Sequence, residues 1–539
     1  MGIFKSKMHF NSYNVLVVIF VAIGTLSTAY GLAIIGSTSG QPNFYTYFNL
    51  AASPSEPGYD HTTNVLGGLN GANSGGAFVG ALISAWSADK FGRKITIMIG
   101  CVFIIIGGAL NAGSVAISMF AIGRVVAGVG SGILAIVTPM YQGEVATAET
   151  RGAMMCVTGI MWAYGYSFAG WIGYGCVHIP ADSPHASAAW RFPLAFQCVP
   201  PLIVLLGFKF IPESPRWLLT RDRREESFNI IKRLHAAKDD PEQIRAKEEF
   251  YLMEKQHEAD KKMTIRPFEI FRGRPNQKRS AISILCMFFN QMMGVYVLAN
   301  YGVLIYGSLG LPGTIPLLLN ACWTSYTILG NTLTAFIVDR FGRRPLMLTA
   351  IVGCGASLIF EAALTATYLG TNHTAGLNAC VFFIWMYITF WCSCMDATQF
   401  VYVSEIWPNH LRSQGTAMGL AVFFLTSEIT LVAAPVALNT IGWKFYLVCI
   451  CPTVVYLPIL YFFFPETKGR TLEEIGSLFG DTNIAAHWYG ISDEEREKIH
   501  QGALHLTADG MIVEDLEENS MTTRLEETEK VIEQHTEKV

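Results

Sequence analysis

The sequence predicts an all-α integral membrane protein in which twelve transmembrane helices form two pseudo-symmetric six-helix bundles. Three observations support this prediction: the composition, the number of long apolar runs and a repeated set of charged motifs. Of the 539 residues, 51% are hydrophobic and 15% are charged, and the mean hydropathy is +0.35. This balance is too apolar for a soluble multidomain chain and is typical of a protein that lies in a bilayer.

Apolar runs of spanning length occur twelve times, in two sets of six. They begin near Tyr13, Asn64, Ile95, Ser118, Ala153 and Trp190, and then near Arg279, Thr314, Pro345, Leu377, Gly415 and Trp443. The pattern predicts five segments: a cytoplasmic lead (1–12), a first bundle (13–211), a cytoplasmic helical linker (212–278), a second bundle (279–464) and an acidic cytoplasmic tail (465–539).

The distribution of lysine and arginine predicts the orientation of the spans. The stretches after odd-numbered spans contain neither residue, whereas those after even-numbered spans contain several, among them Arg93, Arg151, Arg343 and Arg412. Because cytoplasmic loops are enriched in these cations, we expect both termini in the cytoplasm and a multi-pass protein of the plasma membrane. The Asn372 sequon then falls on an outer loop that is too short for us to expect its glycosylation.

Three charged motifs occur twice, in the same order and at nearly the same spacing. ADKFGRK, which ends at Lys94, is matched by VDRFGRR, which ends at Arg344; GEVATAETRG, around Glu144 and Arg151, by SEIWPNHLRSQG, around Glu405 and Arg412; and PESPR at Pro212 by PETKGR at Pro465. The ordered repetition indicates a duplicated six-helix half.

Each motif lies at the cytoplasmic end of a predicted span, where acids and arginines from neighbouring helices can pair. We expect these pairs to act as a latch that closes the cytoplasmic side and separates when that side opens. Gly92 and Gly342 are expected in turns with positive φ, which glycine adopts without steric cost. The alternative is that the charges only satisfy the preference for cations on the cytoplasmic side.

The same features favour a secondary carrier over other membrane proteins. Two similar halves around a site at the bilayer midplane are typical of carriers that alternate access. The sequence contains no G-x-x-x-x-G-K-[ST] loop to bind ATP, and it contains neither CxxC nor His-rich metal spacing. We therefore expect no enzyme, no metal or other cofactor, and no nucleic-acid partner.

In its motifs the chain resembles the sugar porter family of the major facilitator superfamily, and it looks fungal. The resemblance covers about Tyr13 to Gly480 and rests on the repeated motifs, on GRVVAGVGSG from Gly123, on PESPRWLL from Pro212 and on PETKGRTLEEI from Pro465. The family implies the major facilitator fold, with a saccharide held between the two bundles. It also implies a cytoplasmic latch built from Asp89, Arg93, Glu144, Arg151, Glu213 and Arg216, from Asp339, Arg343, Glu405 and Arg412, and from Glu466.

The sequence departs from the family in the pocket. Asn290-Gln291 stands where many relatives have Gln-Gln, and Gly159 and Thr327 fall where a Gln and an Asn are usual. Asp396 to Phe400 replaces a Gly-Pro-x-Pro-Trp motif, so the two helix-softening prolines are missing. We expect the substrate to be bound by Gln291, Asn290, Tyr296, Asn300, Thr158, Thr327, Asn331, Phe400, Asp396 and Ser427.

Amide side chains and an aromatic platform suit sugar hydroxyls, which both donate and accept hydrogen bonds. Trp162 and Tyr301 are further candidate platforms. For each aromatic residue the alternative is packing against lipid or within the core.

Proton-coupled relatives carry an Asp in the first span, whereas the equivalent stretch here is Thr28-Ala29-Tyr30-Gly31. Glu361, Asp396 and Glu428 lie within predicted spans, where an ionised carboxylate costs about 3 kcal/mol or more. Asp396 and Glu428 are therefore candidate proton sites or substrate ligands, and the alternative is that they face water or pair with a neighbour. Because the first-span acid is missing, facilitated diffusion is favoured over proton symport.

The sequence thus predicts a carrier that moves a monosaccharide, a hexose or a pentose, across the plasma membrane by alternating access, and that works as a monomer with a sugar and protons as candidate partners. An altered pocket leaves a polyol, a disaccharide or a quinate-like hydroxy acid open as the substrate. A second class also stays open: a non-transporting sugar sensor that signals through the tail after Gly480.

Overall fold

The computed structural model describes residues 11–480 except 39, 53–55, 147–150, 181–185, 237–242, 245, 248, 252, 255–256, 258–267, 372, 409–410 and 469–471, together with 504–506 and 512–514. The chain forms two compact units. The larger comprises Val15–Pro212 and Ile265–Thr482, and the smaller comprises Met1–Asn14, Glu213–Thr264 and Asn483–Val539.

Twelve helical spans follow one another in the described part of the chain, as the sequence predicts. Spans 1 to 6 are Ser12–Thr38, Tyr59–Phe91, Arg93–Ala112, Ile117–Val145, Arg151–Cys176, and the pair Ala188–Phe196 and Val199–Leu206. Spans 7 to 12 are Arg274–Met292 with Val295–Ser308, Ile315–Phe341, Arg343–Tyr368, Thr374–Phe390 with Trp391–Met395 and Asp396–Glu405, Arg412–Ile441, and Phe445–Phe463. Short helical segments connect them at Pro42–Tyr47, Phe208–Phe210, Glu269–Phe271 and Gly442–Lys444.

Not all of these spans are apolar along their whole length. Within the described residues, eight stretches are long and apolar enough to cross a membrane, and the last of these, Gln414–Phe463, contains spans 11 and 12 together. Spans 2, 5 and 8 lie outside these stretches. Span 2 contains Asn70, Asn73 and Ser74, whose polar side chains are buried within the protein. A helix whose polar side chains face protein does not need a fully apolar surface.

The two halves contain similar helix contacts. In the first half, spans 2 and 3 pack against span 4, and in the second half span 9 packs against spans 10 and 12. Between the halves, span 2 packs against span 11 and span 5 packs against span 8. Spans 2 and 4 approach so closely that a methyl group added to Gly80 would lie 2.1 Å from the carbonyl oxygen of Val129. Small residues permit this close approach of helix backbones in a membrane.

The turns between spans 2 and 3 and between spans 8 and 9 have the same backbone conformation. Gly92 has φ 91° and ψ 163°, and Gly342 has φ 99° and ψ 164°. The expectation of positive φ at both glycines is therefore confirmed. The two halves repeat this turn because both need a sharp reversal at the end of a long helix.

Spans 7 and 10 are interrupted near the middle of their own length. Span 7 breaks at Gly294, which has φ 90°. In span 10 the segment Trp391–Met395 is π-helical and leads directly into Asp396. The missing prolines therefore do not leave span 10 a regular helix, because a π-helical turn interrupts it immediately before that stretch.

In the smaller unit, the helices Pro215–Thr220 and Arg224–His235 contribute to an apolar cluster. Leu219, Phe228, Ile231, Ala246, Phe250 and Met253 form that cluster. In the tail, Leu504–Leu506 pairs with Ile512–Glu514 as a short antiparallel hairpin, which the sequence analysis did not predict.

Candidate functional site

A row of buried amide and hydroxyl groups crosses the second half where span 7 meets spans 10 and 11. Ser427 Oγ lies 3.0 Å from Gln291 Oε1 and 2.8 Å from the carbonyl oxygen of Phe423, so its hydroxyl can donate to either. Asn290 Nδ2 donates to Gln399 Oε1 at 2.8 Å. All four side chains are buried. We call Asn290, Gln291, Gln399 and Ser427 the amide row. It brings together three of the predicted substrate-binding residues.

Each amide of span 7 keeps one buried polar atom without a hydrogen-bond partner in the described part of the chain. These atoms are Gln291 Nε2, a donor, and Asn290 Oδ1, an acceptor. Buried polar atoms in native proteins are normally satisfied, so an unpaired donor and acceptor in one row indicate a place for a polyhydroxy ligand or for water.

Asp396 lies at the end of the π-helical segment and faces span 8. Asn331 Nδ2 donates to Asp396 Oδ2 at 2.8 Å, while Asn331 Oδ1 is buried without a partner among the described residues. The π-helical turn places the carboxylate within reach of Asn331, whose amide N–H stabilises the acid. The remaining lone pairs of the carboxylate oxygens can accept hydrogen bonds from hydroxyl groups. Two further predicted residues thus form a second polar pair.

Aromatic rings lie beside these polar groups. The ring of Phe423 lies 5.4 Å from that of Tyr296 and 5.9 Å from that of Phe400, measured between centroids. The Tyr296 ring also lies 6.0 Å from that of Tyr166, and Trp162 lies 6.5 Å from Phe423. Tyr296, Phe400 and Trp162 therefore share one aromatic cluster, and Phe423 and Tyr166 are members that the sequence analysis missed.

Other predicted substrate ligands use their polar groups within the protein. Thr158 donates to Gln142 Oε1, Thr327 donates to the carbonyl oxygen of Thr324 at 2.6 Å, and Asn300 Nδ2 donates to the carbonyl oxygen of Tyr296 at 3.0 Å. The hydroxyl hydrogens of Thr158 and Thr327 are thus used in hydrogen bonds within the protein. Asn300, in contrast, keeps a buried Oδ1 without a partner in the described part of the chain.

In the first half, the repeated charged motifs form a half-buried ion pair. Arg93 binds Glu144 through two nitrogens, with Nε 3.0 Å from Oε2 and Nη2 3.0 Å from Oε1. Asp89 lies 3.3 Å from Arg93, but its side chain is 80% exposed, compared with 12% for Arg93. Because exposed pairs contribute little, Arg93 and Glu144 form the principal contact.

The second half repeats this pair. Arg343 Nη2 lies 2.7 Å from Glu405 Oε1 and Arg343 Nε lies 3.0 Å from Glu405 Oε2. Glu466 accepts hydrogen bonds from the backbone N–H groups of Arg343 and Arg344 at 3.1 and 3.0 Å. These N–H groups begin span 9, and a carboxylate is stabilised at a helix N-terminus by the helix dipole. Both pairs join spans within one half.

The other predicted latch residues are placed as follows. Span 5 begins at Arg151 and Asp339 lies in span 8, but their side chains, and Asn372, lie outside the described residues. Arg412 begins span 11 and is half-buried. In the smaller unit, Glu213 accepts from the backbone N–H of Ser214 at 2.8 Å and Arg216 is half-buried.

Two further intramembrane acids lie outside the amide row. Glu361 is buried in the second half, where Thr365 donates to its Oε1 at 3.2 Å and Tyr446 lies 3.5 Å from the same oxygen. Glu428 follows Ser427 on span 11 and packs against Gly71 and Gly75 of span 2. Glu361 thus belongs to one half, whereas Glu428 lies between the halves.

Gly31 stands where proton-coupled relatives carry an acid, and two other side chains occupy the space around it. Arg124 Nη1 donates to the carbonyl oxygen of Gly31 at 2.8 Å, and its Nε donates to that of Leu69 at 3.2 Å. A methyl group added to Gly31 would lie 2.7 Å from Gln197 Nε2. Gln197 therefore fills the space beside Gly31, and backbone carbonyls bind the buried arginine.

The sequence analysis missed Gln142, Gln399 and Arg124 as candidates. Each is a long polar side chain within an apolar span, and each is buried. That combination is the signal by which they could have been found, because such residues in membranes are usually functional or paired. Arg124 was noted only as part of the GRVVAGVGSG motif.

Side-chain hydrogen bonds join the two halves on the membrane side opposite to Arg93 and Arg343. Asn70 of span 2 donates to the Tyr301 hydroxyl at 2.7 Å, and that hydroxyl donates to the carbonyl oxygen of Leu431 at 2.8 Å. Trp171 of span 5 donates to Ser325 of span 8 at 2.8 Å. Tyr301 is thus a link between the halves and not a platform in the aromatic cluster.

Known proteins with similar sequences and structures place the chain in a family. A family model described as "Sugar (and other) transporter" matches residues 17–479. The MFS-type transporter criB of Aspergillus cristatus is 30% identical over 84% of this chain and 90% of its own length. The high-affinity glucose transporter of Kluyveromyces lactis is 29% identical over 88% of this chain and 86% of its own length.

The fold is also that of solved transporters. A partially occluded, inward-open structure of the xylose transporter XylE from E. coli matches with a TM-score of 0.72 at 21% identity, covering 86% of this chain and all of XylE. The predicted major facilitator fold and the prediction of a transporter instead of an enzyme are therefore confirmed. The chain belongs to the sugar (and other) transporter family of the major facilitator superfamily.

Proposed function

We propose that the protein moves a monosaccharide, a hexose or a pentose, across the plasma membrane by alternating access. The observation that carries this proposal is the amide row, in which Gln291 and Asn290 keep a buried donor and a buried acceptor. Sugar hydroxyls both donate and accept, so they match such a row. The name of the Kluyveromyces lactis relative, a glucose transporter, supports a hexose.

The substrate is bound mainly by the second half. Gln291 and Asn290 bind hydroxyl groups directly, Asp396 and Asn331 accept further hydroxyls, and the rings of Tyr296 and Phe400 pack against the apolar face of the sugar. Ser427 orients Gln291. Thr158 and Thr327 contribute through the shape of the cavity, because hydrogen bonds within the protein already occupy their hydroxyl hydrogens, whereas Asn300 Oδ1 accepts a hydrogen bond from a sugar hydroxyl.

The paired charges form a cytoplasmic latch. Arg93 with Glu144 and Arg343 with Glu405 hold the spans of each half together, and Glu466 fixes the start of span 9. Arg151, Glu213, Arg216, Asp339 and Arg412 complete the latch when the cytoplasmic side closes. The side of the membrane that carries these pairs faces the cytoplasm, as do both termini. The two bundles lie in the bilayer, the lead, the linker and the tail lie in the cytoplasm, and the protein works as a monomer.

The test is the initial rate of labelled glucose uptake in yeast that lacks its own hexose carriers, with surface expression of the protein confirmed. Unlabelled hexoses, pentoses, polyols, disaccharides and quinate serve as competitors. Saturable uptake that hexoses or pentoses inhibit supports the proposal. If only a polyol, a disaccharide or quinate inhibits uptake, that compound is the substrate and the protein carries it by the same alternating-access mechanism.

A sugar sensor is the second candidate, and the acidic tail after Gly480 is the feature that favours it. A surface-expressed protein that gives no uptake, but whose transcriptional response to sugar disappears when residues 481–539 are deleted, would identify a sensor. Uptake that survives this deletion would exclude that role for the tail.

A further inference from the structure

The carboxyl group of Glu428 in span 11 lies against the backbone of span 2. A methyl group added to Gly71 would lie 2.7 Å from Glu428 Oε1, and one added to Gly75 would lie 3.3 Å from Oε2. The carboxyl group therefore fits this surface because both positions lack a side chain. Since span 2 belongs to the first half and span 11 to the second, Glu428 is part of the contact between the halves.

This contact provides little stabilisation for a negative charge. Glu428 is half-buried as a residue, but its Oε2 is buried and makes no hydrogen bond of ordinary geometry with the described residues, although the backbone N–H of Gly75 lies near the carboxyl group. An ionised carboxylate that is buried without a cation or several donors is costly, whereas a neutral carboxylic acid is tolerated. The contact as it stands therefore suits the protonated acid.

Titratable groups on the spans that pack against span 11 include Asp60 of span 2, Arg124 of span 4, Cys286, Tyr296 and Tyr301 of span 7, Asp396 of span 10, and Tyr446, Cys449 and Tyr456 of span 12. Arg124 binds backbone carbonyls, Asp60 binds Asn439 and Asp396 binds Asn331. None of them forms an ion pair with Glu428 within the described residues.

Separation of spans 2 and 11 would change the surroundings of this acid. The hydrogen bonds from Asn70 to Tyr301 and from Asn439 to Asp60, at 2.7 and 2.8 Å, join the same two halves on the side opposite to the latch. Opening that side breaks these contacts and exposes the carboxyl group to water. A group that is more easily ionised in one state than in another links the two states to pH.

We propose that Glu428 is a proton-binding site that takes up one proton when the external side of the carrier closes. The inference rests on the proposed transport function and on the cytoplasmic orientation of the latch. A hydronium ion of the external solution gives the proton to a carboxylate oxygen: the new O–H bond forms on Glu428, one O–H bond of the hydronium breaks, and water leaves. Because Ser427, the preceding residue, binds Gln291 of the amide row, closure over the sugar and protonation occur at adjacent positions.

The test measures initial sugar uptake at external pH values from 5 to 8, with the internal pH clamped, in the natural protein, in Glu428→Gln and in Glu361→Gln. A step that requires one proton makes the rate fall by up to about tenfold per pH unit on the alkaline side. We expect this fall in the natural protein and in Glu361→Gln, which keeps the Glu428 carboxyl group and changes a buried acid outside the substrate site. Glu428→Gln cannot ionise and should give a flat profile.

Two results would overturn the proposal: a natural protein whose uptake does not change with external pH, or a Glu428→Gln variant that keeps the natural profile. If Glu428→Gln does not reach the surface, Glu428→Asp is used. Its shorter side chain withdraws the carboxyl group from Gly71 and Gly75, so the pH of half-maximal rate should move, and an unmoved value counts against the proposal. Absence of uptake at every pH, in contrast, contradicts the proposed transport function itself.

Discussion

At the scale of single residues, Ser427 determines how Gln291 is presented. Its hydroxyl lies 3.0 Å from Gln291 Oε1 and 2.8 Å from the Phe423 carbonyl oxygen and can donate to either, and Gln291 Nε2 stays the free donor of the amide row. A long amide side chain without this contact can adopt several rotamers, and binding must then select one of them. Ser427 therefore acts on the sugar through Gln291.

Replacing Ser427 with alanine is expected to raise the KM for sugar about threefold to tenfold, the equivalent of one hydrogen bond of about 1 kcal/mol. Initial-rate uptake at several sugar concentrations measures this change. Thr426→Ala is the matched control, since the neighbouring Thr426 hydroxyl donates only to the Val422 carbonyl of its own helix at 2.8 Å. Equal KM values for the two variants would contradict an orienting role for Ser427.

At the scale of elements, the π-helical turn of span 10 is the feature that positions Asp396. It places backbone carbonyls out of the regular helical pattern, and Thr334 of span 8 compensates for this. Thr334 Oγ1 lies 3.0 Å from the carbonyl oxygen of Cys392, 2.8 Å from that of Ser393 and 3.1 Å from that of Gly330 in its own helix, so its one hydrogen can be donated to any of the three. Freed backbone groups in a membrane helix need such partners.

We expect Thr334→Val to destabilise the protein by about 1 to 2 kcal/mol, because it leaves buried carbonyl groups without a donor. The measurement is the midpoint of thermal unfolding of the detergent-purified protein, which should fall by a few degrees, with a lower uptake rate. Thr332→Val, in which only a bond to the Ile328 carbonyl of the same helix is lost, is the control. A midpoint no lower than that of the control would show that the turn does not depend on Thr334.

At the scale of the whole molecule, the Tyr301 hydroxyl is a link between the two halves. It accepts from Asn70 of the first half and donates to the Leu431 carbonyl of the second, at 2.7 and 2.8 Å. Only the bond from Asn70 crosses between the halves, so opening of the side opposite to the latch breaks it, whereas the bond to Leu431 lies within the second half. Loss of the bond from Asn70 would shift the equilibrium toward a state that is open on that side.

Tyr301→Phe is therefore expected to tighten the binding of external competing sugars up to about fivefold, because the fraction of carriers open to the outside increases. Competition with labelled sugar at the cell surface measures the inhibition constant. Tyr141→Phe removes a hydroxyl that donates to the Pro212 carbonyl within the first half, and it should leave the constant unchanged. Equal constants in the two variants would exclude Tyr301 as a state-dependent link.

Several features could be predicted from the sequence because they depend on composition and repetition. Twelve apolar runs predict twelve spans, and the paired motifs predict that Arg93 and Arg343 occupy equivalent places. The structure places both arginines on a carboxylate of the same half, Glu144 and Glu405. Spacing along the chain could not indicate this pairing within each half, because the partners lie on separate helices.

Other features could not be predicted from local sequence. Thr158 stands beside a family position and Thr327 at one, but the Thr158 hydroxyl binds Gln142 of a neighbouring helix and the Thr327 hydroxyl binds the Thr324 carbonyl of its own helix. The π-helical turn replaces the missing prolines through a contact with span 8. Asp396 and Glu428 look alike in sequence, yet one binds an amide within its half and the other packs on glycines of the opposite half.

The sequence by itself determined the fold class, the number of spans and the family, because apolar runs and repeated charged motifs are properties of consecutive residues. Only the tertiary structure decided which buried polar atoms keep a free donor or acceptor, which acid lies between the halves, and which contacts join them. These properties depend on distances between residues that are far apart in the chain, and the packing of helices within the membrane sets those distances.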